Sequence, residues 1–207
     1  MTDLATLLAP YALTALGRCP LGPDDGVSGR SLVLIGPDEP RFWQTFAGSA
    51  ECRDGAPDPL DRWSKRVLDA VATQLGTTAV YPFGGPPFHP FIGWALRCGV
   101  VWSSPISLLV HNDAGLFVSF RGALVLDAPA PATKAARPCD ACHQPCKTAC
   151  PVDAFADGYD VAACKAHVRA AAGHDCRSGG CLARRACPVG QHRRLPAQSA
   201  FHMEAFL

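Results

Sequence analysis

The chain has 207 residues, and its 19 Lys and Arg nearly balance 18 Asp and Glu for a formal charge of +1. That length supports one compact domain with an appendix, or two small domains, and the even charge balance argues against general nucleic-acid binding. No apolar run reaches the roughly 20 residues that span a bilayer. The opening MTDLATLLAPYALTALG has no basic segment ahead of its apolar part, so it does not read as a secretory signal. Together with 11 cysteines, this points to the cytoplasm, where thiols stay reduced.

In chain order, residues 3–16 place Leu4, Leu7, Leu8, Tyr11 and Ala15 at helical spacing behind Thr2 or Asp3 as a cap. Residues 31–35, SLVLI, are a continuous apolar run closed by Gly36-Pro37, which predicts a buried strand. Residues 39–47 predict a short helix with Phe42, Trp43 and Phe46 in the core, and Gly48 to Ala56 reads as loop. A longer helix opens at Asp58-Pro59, with Asp58 as N-cap and Asp61 near the positive helix end. Its predicted buried face is Leu60, Trp63, Val67, Leu68, Val71 and Leu75, and Gly76 ends it. Thr77 to Tyr81 predicts a strand.

Residues 82–94, PFGGPPFHPFIGW, hold four prolines and three glycines among aromatics, which predicts an irregular segment covering something. Residues 106–111 and 115–126 predict two strands joined in a hairpin through His111-Asn112-Asp113-Ala114. The Ala- and Pro-rich stretch 128–138 reads as a linker, so the expected domains are 1–127 and 139–207.

The last third carries the chemistry. It reads CDACHQPCKTACP, then Cys164 alone, then CRSGGCLARRACP. Eight cysteines fall here, and Cys150 and Cys187 each stand directly before proline. Eight thiolates are the ligand count for two four-iron clusters, and cysteine-proline endings mark the bacterial two-cluster ferredoxin pattern. In that pattern the cysteine before proline ligates the other cluster. Applied here, Cys139, Cys142, Cys146 and Cys187 hold one cluster, and Cys150, Cys164, Cys176 and Cys181 hold the other. An oxidised cluster with four thiolates is anionic, so the loaded protein is expected to be mildly acidic. A disulfide framework and a pair of zinc sites compete from cysteine count alone. The spacing also departs from the usual form between Cys142 and Cys146 and between Cys176 and Cys181.

From Ala95 to Pro151 the chain resembles the epoxyqueuosine reductase family and, more distantly, cobalamin-processing proteins and reductive dehalogenases. The matching residues are Gly99, Trp102, Leu108, Leu109, His111, Gly115 and Phe117, then the first cysteine run; Cys164, Cys176, Cys181 and Cys187 match the second. Phe88 to Trp94 also looks like a segment of cytosolic cobalamin decyanase/dealkylase proteins. The resemblance implies an α+β protein: a nitroreductase-like α/β domain binding cobalamin, followed by a bacterial-ferredoxin-like module with two [4Fe–4S] clusters. It nominates His89, Gly93, Trp94, Gly99 and Trp102 for the corrinoid, with His89 either facing the cobalt or bonding to backbone.

The family's proton-donating acid would fall near Gly85, where this chain has no carboxylate, which argues against epoxide reduction. The first functional expectation is an iron–sulfur reductase passing electrons to a bound corrinoid, for ligand removal or cobalt reduction. The second is an electron-transfer module serving a partner enzyme. In either case the electron donor is a flavodoxin or ferredoxin reductase. A tRNA-directed activity is a third expectation, resting on Lys165, Arg177, Arg184, Arg185, Arg193 and Arg194; those cations lack interleaved aromatics and fit offset of cluster charge better. Cys19, Cys52 and Cys98 are read as packing residues.

Overall fold

The computed structural model describes residues 3–193 and 195–207, so Thr2 as a cap and Arg194 of the basic group lie outside the described residues. Strand β2 (Ser31–Pro37) is buried at every position. Such a strand needs partners on both edges. It pairs antiparallel with β1 (Leu13–Pro20) on one side and with β6 (Gly122–Leu126) on the other. Strand β3 (Ala79–Val80) adds to β6, giving the antiparallel order β1-β2-β6-β3. The chain is therefore a mixed α and β protein built on a small antiparallel sheet, consistent with the α+β class.

The first expected helix is shorter than its periodicity suggests. Helix α1 covers Leu4–Leu8 and passes through a 3-10 turn, Ala9–Tyr11. Ala12 adopts a left-handed conformation at φ 49°. Beyond it the chain becomes β1, because the hydrogen bonds offered by β2 outweigh weak helical spacing. Asp3 occupies the N-cap position without a side-chain bond.

Helix α2 (Arg41–Ala47) buries Phe42 and Phe46 and leaves Trp43 half-buried. The segment expected as loop contains a one-turn helix, α3 (Ala50–Arg53), because the Ser49 hydroxyl accepts from Cys52 N–H at 3.3 Å. Helix α4 (Pro59–Leu75) buries Leu60, Trp63, Val67, Leu68 and Val71 as expected, while Leu75 is half-buried. Asp58 stands at its N-cap with φ 51° but makes no side-chain cap. Trp63 meets Phe42 edge-on at 5.5 Å and Phe46 at 5.9 Å. Such pairs add about 0.5–1.5 kcal/mol beyond area burial.

Two further expectations change. The Pro- and Gly-rich stretch is irregular only to Pro90, and α5 (Phe91–Arg97) starts inside it. The second arm of the expected hairpin divides. The turn is present, with His111 and Gly115 exchanging backbone bonds at 3.0 Å. Residues 122–126 leave that turn and join the main sheet as β6. A two-stranded sheet, β4 (Val101–Ser103) with β5 (Leu109–His111), takes the local pairing instead.

The chain divides into two compact units. One runs to Val101 and resumes over Ser119–Ala135; the other comprises Trp102–Val118 and Ala136–Leu207. The segment 102–118, expected with the front domain, thus belongs with the cysteine-rich part. That unit adds α6 (Val161–Arg169), α7 (His174–Gly179), α8 (Leu182–Arg185) and α9 (Pro196–Phe206). Among the described residues no helix is long and apolar enough to cross a membrane.

In the first unit, buried Asp25 ties α5 to the chain before β2. It accepts from Trp94 Nε1 at 2.8 Å, Arg97 at 2.7 Å and Gly22 N–H at 2.7 Å. Burial alone would raise the Asp25 pKa, but these donors outweigh it and hold the carboxyl below its ordinary value. Asp25→Ala leaves the buried indole N–H without its acceptor, and is expected to cost about 2 kcal/mol in urea denaturation at pH 7. Because the folded pKa is depressed, the ionised carboxyl stabilises above its unfolded value near about 4. The gap between wild type and variant should therefore hold at neutral pH and narrow as pH falls below that value.

Candidate metal centre

The eight cysteines of the second unit line two separate cavities, four to each. Cys139, Cys142, Cys146 and Cys187 surround one of about 340 Å³, counting space open to solvent. Cys150, Cys164, Cys176 and Cys181 surround another of about 320 Å³ on the same measure. Each set takes three sulfurs from one part of the chain and one from another. Cys187 comes back from the late run to the first cavity, and Cys150 goes forward from the early run to the second.

Local structure places each sulfur. Gln144 turns left-handed at φ 55°, which starts the 3-10 turn Pro145–Lys147 and turns Cys146 inward to 6% exposure. Cys164 lies on α6, whose N-terminus is capped by Asp160 accepting from Ala163 N–H at 2.9 Å. Cys176 lies on α7, and Cys181 stands at the N-cap of α8. Ala183 on α8 is fully buried and belongs to both surroundings. It lines the second cavity and packs in one apolar core with Ile106, Val110, Leu116, Cys146 and Cys187.

Segment 102–118 supplies a wall of the first cavity through Ser104, Pro105, Val110 and Leu116. Cysteine spacing carries no hint of these residues. The signal that could have found them is Gly115, one of the positions carrying the family resemblance. Gly115 has φ 55°, and a Cβ there would fall 2.2 Å from the Val189 carbonyl oxygen and 3.2 Å from Cys187 Sγ. Only glycine lets the turn approach the Cys187-Pro188-Val189 segment so closely. His111 is buried in the same turn. Its Nδ1 accepts from Asp113 and Ala114 N–H, both at 3.0 Å, so its proton sits on Nε2.

The electrostatics divide along the same line. Burial pushes the thiols of Cys139, Cys146, Cys164 and Cys176 above the ordinary cysteine value. Neighbouring sulfurs add to the rise, and in every case they belong to the same set: Cys187 on Cys139 and Cys146, Cys181 on Cys164 and Cys176. Hydrogen bonds also reach the sulfurs, and the one from Tyr159 opposes the rise at Cys164. Gln144 N–H donates to Cys142 Sγ and Ala154 N–H to Cys150 Sγ, each at 3.3 Å. The Tyr159 hydroxyl donates to Cys164 Sγ at 3.5 Å.

All 11 cysteines are free thiols. Among the described residues, no three or more His, Cys, Asp or Glu are placed to hold a single metal ion. A zinc site needs its sulfurs about 2.3 Å from one centre.

Of the residues nominated for a corrinoid, His89, Gly93, Trp94 and Gly99 lie in the first unit and Trp102 in the second. His89 borders an open cavity of about 390 Å³ with Tyr81, Phe83 and Gly85, and its ring stacks on Trp94 at 5.5 Å. Trp94 is fully buried in the core of the first unit. Gly93 is within α5, and its missing side chain makes no close approach: an added Cβ would meet Pro90 only at 3.9 Å. Gly99 is required by packing, since a Cβ there would lie 1.9 Å from the Thr133 carbonyl oxygen. Trp102 packs on the apolar core around Cys146 and Cys187. Of the cysteines outside the late runs, Cys19 and Cys98 are buried, and burial pushes the Cys19 thiol up to about 11 against the opposing Arg97.

Comparison with protein families, curated proteins and solved structures finds no match for the chain. The raised thiols carry a direct consequence, because thiolate is the reactive form. In reduced, metal-free protein at pH 7, Cys139, Cys146, Cys164 and Cys176 should alkylate more slowly than a cysteine at its ordinary pKa of about 8.5. Their rates should climb as pH rises toward 10, read residue by residue by mass spectrometry.

Proposed function

We propose that the protein is an iron–sulfur electron-transfer protein. In it Cys139, Cys142, Cys146 and Cys187 hold one [4Fe–4S] cluster, and Cys150, Cys164, Cys176 and Cys181 hold a second. The observation that carries this is the sorting of eight sulfurs into two cavities of four, with each cysteine that precedes a proline, Cys150 and Cys187, in the set opposite to its own run. Such clusters accept and release single electrons. The chain's own part is to fix the thiolates, keep the walls apolar and point N–H groups at sulfur, all of which set the potential.

On this proposal the cysteine-rich unit is a bacterial-ferredoxin-like module. A flavodoxin or ferredoxin reductase fits as donor, because each delivers electrons singly. The first unit, for which the sequence resemblance suggests a nitroreductase-like fold, serves as the platform for the electron acceptor. A corrinoid acceptor has one observation in its favour, the open cavity beside His89. Titration with hydroxocobalamin tests it: a shift of the corrinoid's visible bands supports a bound guest, and unchanged bands remove it.

Cysteine variants test the cluster assignment. Anaerobically reconstituted wild type should hold about eight irons per chain, and Cys139→Ala about four. The double variant Cys139→Ala/Cys187→Ala should keep those same four, because both residues serve one cluster. Cys139→Ala/Cys150→Ala should lose nearly all iron. If removing Cys187 with Cys139 emptied both sites while removing Cys150 with Cys139 emptied one, the partnering would be wrong.

A further inference from the structure

The two cavities differ in a way that the cysteine pattern does not show. At the first, among the described residues, a backbone amide donates to sulfur, Gln144 N–H on Cys142. The second has a comparable amide, Ala154 N–H on Cys150, and in addition a phenol, the Tyr159 hydroxyl 3.5 Å from Cys164 Sγ. Tyr159 is five residues before Cys164, in the turn that leads into α6. It belongs to neither cysteine run.

Two rings neighbour it. The Tyr159 ring stacks on Phe155 with centroids 4.8 Å apart and planes at 15°. Phe206 of α9 lies 6.5 Å away, also at 15°. Phe155 lines the second cavity, and Lys165 Nζ lies 4.9 Å from the centre of the Phe206 ring. Tyr159 is 40% exposed, so the stack runs from the cavity wall to the surface. The stacking on Phe155 restrains the ring whose O–H donates to Cys164 Sγ.

We propose that Tyr159 is a positioning residue that raises the reduction potential of the cluster held by Cys150, Cys164, Cys176 and Cys181, and not that of the other. This rests on the two-cluster assignment above. Reduction adds one electron to the cluster and makes its thiolates more electron-rich. A hydrogen bond to sulfur stabilises that added charge, so it favours the reduced form. The step is an outer-sphere transfer: no bond forms or breaks, and the phenol keeps its proton. The effect makes the second cluster the better resting place for an electron, beside the exposed edge of the stack.

Tyr159→Phe removes the hydroxyl and keeps the stacking ring. In an anaerobic redox titration followed by EPR, one of the two midpoint potentials should fall, its reduction equilibrium weakening several-fold, where tenfold corresponds to about 59 mV for one electron. The other potential should not move. Replacing the chain's three tyrosines with 3-fluorotyrosine, a stronger O–H donor of nearly the same size, should move the same potential upward. This second arm holds even where the Phe variant loads iron poorly. Unchanged potentials with fluorotyrosine, or equal movement of both potentials in either protein, would overturn the inference. Iron content separates that failure from failure of the assignment itself: wild type without iron removes both, whereas eight irons with immobile potentials removes only the role of Tyr159.

Discussion

Bringing four sulfurs to one cavity while keeping four others out of it is the constraint on which the second unit depends. The chain solves it by crossing. Cys150 and Cys187 close each other's sites, and proline follows each of them. A proline at that point removes a backbone donor and fixes φ, so the chain cannot continue as helix around its own cavity. Each site is therefore complete only when the late run has folded back on the early one. Ala183, which lines the second cavity, also packs in the apolar core with Cys146 and Cys187 of the first.

The crossing explains why segment 102–118 leaves the front unit. Two cavities close together leave little apolar material for a core of ordinary kind. The turn at His111–Gly115 supplies it, placing Val110 and Leu116 against Cys146 and Cys187. Gly115 permits the approach, and the doubly accepting His111 ring holds the turn's shape. These residues have structural work to do whatever the cavity holds, because Val110 and Leu116 line it and Gly115 permits the close approach.

The cysteine partition was legible in the sequence because it depends on count, spacing and two prolines, all local and discrete. Long buried elements were legible too: SLVLI as β2, and the apolar face of α4 from Leu60 to Val71. What failed was decided by tertiary partners. Ala15 lies at helical spacing from Tyr11, but β2 offers its neighbours a ladder of backbone bonds, so the segment is a strand. Residues 115–126 look like one strand, yet their ends belong to different units. Among the corrinoid nominees, two have local structural duties that the sequence did not show, Trp94 as core and donor to Asp25 and Gly99 as a close-packing site. Tyr159 was invisible because nothing about an isolated tyrosine reveals that its ring will stack on Phe155 with its hydroxyl beside a sulfur.

The most direct measurement is iron-edge anomalous diffraction from crystals grown without oxygen. The account predicts two iron peaks, one enclosed by Cys139, Cys142, Cys146 and Cys187 and the other by Cys150, Cys164, Cys176 and Cys181. Zinc in either cavity, sulfur–sulfur bonds within a set, or iron shared between cysteines of different sets would contradict it.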